Sequence, residues 1–389
     1  MKILAISPRI PEDGKKGYQV LSFHRLAYLA RKHQIKLFCF GDVNKDFEAK
    51  RKLESLGISV ELIQWKKTVA VANAMLAIFK PEAAFQCALF ESAHFQKVFQ
   101  SILFEFKPDA VYAVTIRALG NVGSYGGPIF VDLVDSMALN FSRRIDMASG
   151  LKRFVLNMEY ERVKEYEKKV AQRANRSFVV SSIDQKVIGS DKVGVIPLGI
   201  DGQQFFMNSD GRAEPVVIFT GNMNYKPNVD AVLWFYRHCW NKLKLALPEC
   251  RLVIAGSNPT NEVVALRSDN TVTVTGRVAS LAALINAALV SIAPMQSGSG
   301  MQFKILEAMA CGVPVVATTL GLGDIKAEVG KDFLLADTAN LFVDAVLSLL
   351  QYQELRLKIG NAGRHYVNLN HTWDALNAEF EASTIATLS

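Results

Sequence analysis

The chain has 389 residues, a formal net charge of +7, 50% hydrophobic residues and 21% charged ones. That balance excludes a disordered or fibrous chain, and the length admits two domains, each with its own core. A positive excess this modest fits anionic small molecules or an anionic membrane surface and does not call for a nucleic-acid partner.

In chain order, residues 2–7 predict a buried strand, followed by a loop carrying Pro8, Pro11, Gly14 and Gly17. Residues 18–32 place Val20, Phe23, Leu26 and Ala30 along one side of a helix. A strand at 35–40, a charged helix at 45–56 stopped by Gly57, and a strand at 60–63 follow. Strands at 110–114, 129–133 and 176–180 continue the alternation, which predicts a parallel sheet with helices on both faces. Residues 144–173 predict one long helix whose Glu159, Arg162, Glu165 and Lys169 form charge pairs on a solvated face. After 195–201 a second alternation begins. Its strands are expected at 216–220, 251–255, 272–275 and 290–293, its helices at 228–239, 281–288, 341–350, 354–367 and 372–385.

The pattern predicts an α/β protein of two doubly wound, Rossmann-like domains facing a cleft. Their bounds are 1–200, completed by a returning helix at 372–389, and 201–371. Five scattered cysteines lack metal-type spacing and read as reduced core thiols. The first residues form a strand, not a leader, and no run approaches the ~18 apolar residues that would span a bilayer. A cytoplasmic protein is expected. Residues 60–90 interleave Trp65, Phe79, Phe85 and Phe90 with Lys66, Lys67 and Lys80. Such a stretch suits either peripheral docking on the inner face of an anionic membrane or a core helix with snorkelling lysines.

Three segments carry chemistry. Ser297-Gly-Ser-Gly-Met-Gln-Phe-Lys-Ile-Leu-Glu307 reads as a glycine loop opening a helix near Met301. Gly298 and Gly300 let backbone amides approach a phosphate, and the helix points its positive end there. Lys304 and Glu307 share a helix face, Gly312 and Pro314 end it, and 313–318 is a buried strand. Donors for phosphates beside one acceptor for ribose hydroxyls are what a nucleotide diphosphate needs. In the second segment, Gly221 to Lys226 form a loop at a strand's carboxyl end, with Asn228 placed to cap the next helix. In the third, the strand at 129–133 runs into Asp135, with Asp132 as a buried partner of the turn.

These segments resemble the group 1 glycosyltransferases (family four), retaining enzymes of the two-Rossmann-domain B fold. The family's Lys-x-x-Glu-Ala-x-Ala-x-Gly-x-Pro-Val-Val-Ala run is matched by Lys304, Glu307, Ala308, Ala310, Gly312 and residues 314–317. The resemblance implies a nucleotide-sugar donor held by Gly17, Gly221, Asn222, Lys226, Arg277, Ser297, Gly298, Ser299, Gly300, Met301, Gln302, Lys304 and Glu307. It implies a saccharide or glycolipid acceptor near Lys16, Arg117 and Asp135, with Asp135, Lys226 and Glu307 closest to the chemistry. The family's Arg after Gly221 is replaced by Asn222, and its first acidic residue by Ser299. Gln302 stands where an Arg is frequent, and no His precedes Asp135. The departure at Ser299 leaves the donor sugar open, and that at Gln302 removes a cation from the expected site. The chain has no Asp-x-Asp, so a metal-independent enzyme with no cofactor beyond its substrate is expected. A non-catalytic nucleotide-sugar binder or an epimerase on the same fold are the rival readings.

Overall fold

The computed structural model describes residues 1–13, 17–77, 83–123, 125–146, 148–208, 214–297 and 301–385. The chain divides into two compact units: Met1–Leu198 together with the chain from Leu376 onward, and Gly199–Ala375.

The first unit is built on seven parallel strands: β1 (Lys2–Ser7), β2 (Gln34–Phe40), β3 (Ser59–Ile63), β4 (Ala110–Val114), β5 (Ile129–Val134), β6 (Arg176–Val179) and β7 (Val193–Val195). They lie in the order β3-β2-β1-β4-β5-β6-β7. Helices cover both faces, so β4 and β5 are buried at every residue, as unbroken apolar strands of parallel sheets are. One face packs on Phe95, Phe99 and Ile102, the other on Phe23, Leu26 and Phe380. Phe380 comes from the last helix, Trp373–Ile385, whose Asn377 amide also donates to the His24 carbonyl at 3.2 Å. The guanidinium of Arg25 lies 4.1 Å from the Phe380 ring centre and is paired with Asp132 at 2.7 Å.

The second unit holds β8 (Val216–Thr220), β9 (Arg251–Ala255), β10 (Val272–Gly276), β11 (Val290–Ala293), β12 (Val315–Ala317) and β13 (Leu334–Leu335). All are parallel, in the order β10-β9-β8-β11-β12-β13. Phe235, Trp240 and Phe342 pack on one face; Ile305, Met309 and Phe333 pack on the other. In both sheets the strand order reverses beside the first strand, where β1 meets β4 and β8 meets β11. At such switch points neighbouring loops diverge and leave a crevice at the carboxyl edge.

Three expectations need correction. The stretch 144–173 is two helices, Met137–Asp146 and Gly150–Arg173. Within the longer one, Glu159 is not solvated: it is buried and accepts the Phe85 and Gln86 amides at 3.1 Å each. Arg162 donates to the Ala77 carbonyl at 3.0 Å. Asn228 does not cap its helix, which begins two residues earlier as Lys226–Phe235, with Pro227 in the first turn. No helix among the described residues is long and apolar enough to cross a membrane.

Candidate functional site

In the C-terminal unit the loops after β8 and β11 meet through buried polar side chains. The chain after β8 turns at Gly221, where backbone crowding leaves no room for a side chain. A Cβ there would sit 2.7 Å from Asn228 Nδ2. One at Gly256, after β9, would fall 1.7 Å from the Gly221 carbonyl oxygen. The Gly221 amide donates to Ala255 at 3.0 Å and the Met223 amide to Ser257 at 2.9 Å, which fixes this loop on its neighbour.

The helix Phe303–Ala310 begins two residues later than the sequence suggests, with Gln302 at its N-cap and no side chain capping its first amides. Those amides keep the positive end of the helix available to an anion. Lys304 lies one residue inside and is buried, yet it reaches no carboxylate at ion-pair distance among the described residues. Its ammonium donates to Asn228 Oδ1 at 2.9 Å and Gln302 Oε1 at 3.0 Å, and sits 5.1 Å from the Phe219 ring centre. Both partners are neutral amides, so the positive charge stays uncompensated. Burial pulls its pKa down to about 8, against a smaller opposing pull from Glu307. Asn228 also donates to the Asn222 carbonyl at 3.0 Å, joining the β8 loop to the Phe303 helix.

Glu307, one turn further in, is half-buried, and its carboxylate has no hydrogen-bond or ion-pair partner among the described residues. Loss of hydration pushes its pKa up to about 7, with Lys304 as the smaller, opposing influence. A carboxylate without a protein partner and an ammonium held only by neutral amides thus share one helix face, an arrangement able to accept from hydroxyls and donate to an anion.

The other residues expected to hold a donor in this unit lie on its loops at varying distance from the cluster. Lys226 is 80% exposed and paired with Asp230 at 2.6 Å. Such a surface pair is worth only about 0.3–0.5 kcal/mol, so it is easily exchanged for a stronger anion. Asn222 and Ser297 are exposed, Met301 is half-buried against the core, and Gln302 holds Lys304. Arg277 is exposed after β10, two strands from β8 and so about 10 Å away across the sheet. Gly298, Ser299 and Gly300 lie outside the described residues.

The N-terminal unit has its own cavity at the matching place. About 290 Å³ in volume, it is lined by Gly17, Tyr18, Gln86, Thr115, Arg117, Val134, Asp135, Asn140 and Arg144, among others. The three sequence-predicted residues Gly17, Arg117 and Asp135 therefore come together; Lys15 and Lys16 lie outside the described residues. Thr115, the residue after β4, and Val134, the last of β5, have φ of 62° and 70°. A β-branched residue rarely adopts that conformation, which costs on the order of 1–3 kcal/mol at each position. The turn at Val134 brings Asp135 to the cavity, where Asn140 donates to its carboxylate at 2.8 Å. Loss of hydration is the main influence on Asp135 and raises its pKa. The Arg117 guanidinium donates to Gln86 Oε1 at 3.3 Å, while its Nε and the Thr115 hydroxyl are buried without partners among the described residues.

Sequence reasoning missed what holds this cavity in shape. Glu167, on the helix Gly150–Arg173, accepts from the Ser136 hydroxyl at 2.9 Å and the Met137 amide at 2.5 Å. It thus satisfies the start of the helix that carries Asn140 and Arg144, as Glu159 does for the one that carries Gln86. Burial raises the pKa of Glu167 to about 7, against those hydrogen bonds. Its spacing of eight residues from Glu159 on a helix was the available signal.

Known proteins match this chain as follows. Residues 214–352 match the family described as Glycosyl transferases group 1. A GDP-mannose-dependent alpha-(1-6)-phosphatidylinositol monomannoside mannosyltransferase of Mycobacterium tuberculosis is 29% identical over 207 residues, 47% of this chain and 53% of that protein. The chain thus spans about half the length of the curated relatives it matches. Among solved structures, S. aureus TarM superposes with a TM-score of 0.68 at 10% identity over 99% of both chains. A glycosyltransferase of Rickettsia africae does so with 0.67 at 15% identity, covering 100% of this chain and 98% of its own. Anabaena HepE in complex with UDP gives 0.66 at 17% identity, covering 99% and 100%.

Proposed function

We propose that the chain moves a sugar from a nucleotide-diphosphate donor to a hydroxyl acceptor, a reading supported by the match of residues 214–352 to the group 1 glycosyltransferases and by the fold of two Rossmann-like domains. One observation carries this reading: uncapped amides, the uncompensated Lys304 and the unpartnered Glu307 converge at the switch point of the C-terminal sheet. The amides and Lys304 meet the diphosphate, with Lys226 recruited from Asp230, and Glu307 accepts the ribose hydroxyls. The curated relative is named for GDP-mannose, and HepE is solved with UDP and UDP-glucose, which supports a nucleotide-sugar donor and leaves its base open.

The acceptor is placed in the cavity over β4 and β5, with Asp135 beside its reacting hydroxyl. A saccharide or lipid-linked saccharide of a bacterial surface is the class favoured, since the curated relative is named for a glycolipid. Exposed Val69, Val71, Met75 and Leu76 on the helix Lys67–Ala77, next to Lys66, support peripheral contact with an anionic membrane. Transfer with retention needs no protein nucleophile when the leaving diphosphate, its charge met by the helix amides and Lys304, takes the acceptor's proton itself. That positive field makes a metal unnecessary for holding the diphosphate in this scheme.

Thermal melting against UDP, GDP, ADP and their sugars tests the donor half. One nucleoside diphosphate should raise the melting temperature by several degrees, and Lys304→Met should abolish the rise. No rise with any of them would overturn the proposal. Sugar turnover without any acceptor would favour an epimerase, and tight binding without turnover a non-catalytic binder.

A further inference from the structure

The carboxyl edge of the N-terminal sheet extends past the cavity over β4 and β5. Two more cavities, of about 300 and 260 Å³, lie over the ends of β1 to β3 and share Phe40, Gln64 and Trp65. The nearer one takes in Gln19, which follows the Tyr18 that lines the first cavity. From β5 to β3 is four strand spacings, about 19 Å at roughly 4.8 Å each. That is the reach of an extended ligand, several times the width of one sugar ring.

Trp65 stands where the two outer cavities meet. Its indole is 36% exposed although both its edge and its face are engaged. Nε1 donates to the Leu89 carbonyl at 3.1 Å, and the ring stacks on Phe90 with centres 6.1 Å apart and planes 29° apart. A pinned aromatic ring in a concave, polar setting offers contact area at little entropic cost. The surrounding charges balance: Arg9 and Lys45 against Asp42 and Asp46 in one cavity, Lys66 against Glu91 in the other. Balanced charge suits a neutral, hydroxyl-rich chain better than a polyanion.

We propose that Trp65 is the stacking platform for an outer sugar of an extended saccharide acceptor whose reacting end lies over Asp135. This rests on the placement of the acceptor in the β4–β5 cavity. The full chain has four tryptophans, so its indole N–H resonances can be resolved and Trp65 identified by the signal lost in Trp65→Phe. The probes are α-linked manno- and gluco-oligosaccharides of one, two, four and six residues. The Trp65 resonance should move with the four- and six-residue chains and stay still with the monosaccharides. Trp65→Ala should weaken binding of the six-residue chain at least tenfold, with Trp65→Phe restoring most of it. A resonance silent to every oligosaccharide, while a nucleoside diphosphate still raises the melting temperature, overturns this inference and leaves the donor reading standing. If no nucleotide binds, the transferase reading itself has failed. A Trp65 resonance that responds to phosphatidylglycerol vesicles and not to saccharides overturns the inference in favour of membrane docking.

Discussion

Replacing Glu307 by Gln should stabilise the protein and weaken its donor binding at once. The carboxyl titrates at about 7 against an ordinary 4.5. At 1.36 kcal/mol per pH unit the difference is about 3 kcal/mol, nearer 2 once partial contact with water is allowed for. The sign follows from proton uptake. Between pH 4.5 and 7 the native state holds a proton that the unfolded chain has given up, so stability falls as pH rises through that window. Above it the whole cost is present; below it, none. Urea unfolding of Glu307→Gln should therefore show a gain of about 2–3 kcal/mol at pH 7.5 that vanishes by pH 4.5. Nucleotide affinity should fall by about 10- to 150-fold, the worth of hydrogen bonds to a charged acceptor of about 1.5–3 kcal/mol. In the wild type the acid limb of affinity should follow the pair's lower value near 7 and the alkaline limb its upper value near 8, where Lys304 loses its proton. Titration calorimetry from pH 5.5 to 9 reads both limbs. The reasoning fails if Glu307→Gln is less stable than wild type at pH 7.5, or if it keeps the acid limb.

Three other substitutions test the supports of the two sites. Asn228→Ala strips the buried Lys304 of one of its two amide acceptors; a loss of about 2 kcal/mol in thermal melts is expected, and an unchanged melting point would contradict the bridging role. Gly256→Ala drives a Cβ into the Gly221 carbonyl, so the β8 loop must shift and nucleotide affinity should drop at least tenfold; wild-type affinity would show that the crossing is not tight. Glu167→Ala leaves the Ser136 hydroxyl and the Met137 amide without their acceptor, at about 2 kcal/mol in unfolding experiments. It should raise the acceptor KM while nucleotide binding holds, and an effect on the nucleotide alone would refute its role beside Asp135.

The alternation of strands and helices was legible because parallel strands buried on both faces leave unbroken apolar runs, as residues 110–114 and 290–293 do. The Lys304–Glu307 segment was legible because a helix opening after a glycine loop carries its two charges three residues apart. What stayed hidden depends on partners distant in sequence. Asn228 reads locally as a cap, yet its side chain is used 76 residues away on Lys304. Glu159 reads as one of a series of surface charges, yet it meets backbone amides more than 70 residues earlier in the chain. Long-range hydrogen bonds of this kind leave no periodicity to read. The left-handed backbone at Thr115 and Val134 was equally unreadable, since β-branched side chains argue against it locally.

Those two strained residues bear on the site as a whole. Among the described residues, unfavourable features lie at the carboxyl edge of each sheet, by the switch point: strained backbone, a buried hydroxyl and a guanidinium nitrogen without partners in one, a carboxylate without a protein partner and an ammonium held only by neutral amides in the other. The buried Arg25, by contrast, has Asp132 at 2.7 Å and an aromatic ring 4.1 Å away, although it lies far from solvent and would cost more if left alone. In the proposed scheme, the burial of Glu307 and Lys304 lowers the stability of the protein without ligand and raises the gain from one that supplies hydroxyls to the first and phosphate to the second. The same reasoning separates the two lysines of this edge. Lys304 is held buried by neutral amides with its charge free for an anion, whereas the exposed Lys226 pairs with Asp230 in water and would give up little by moving.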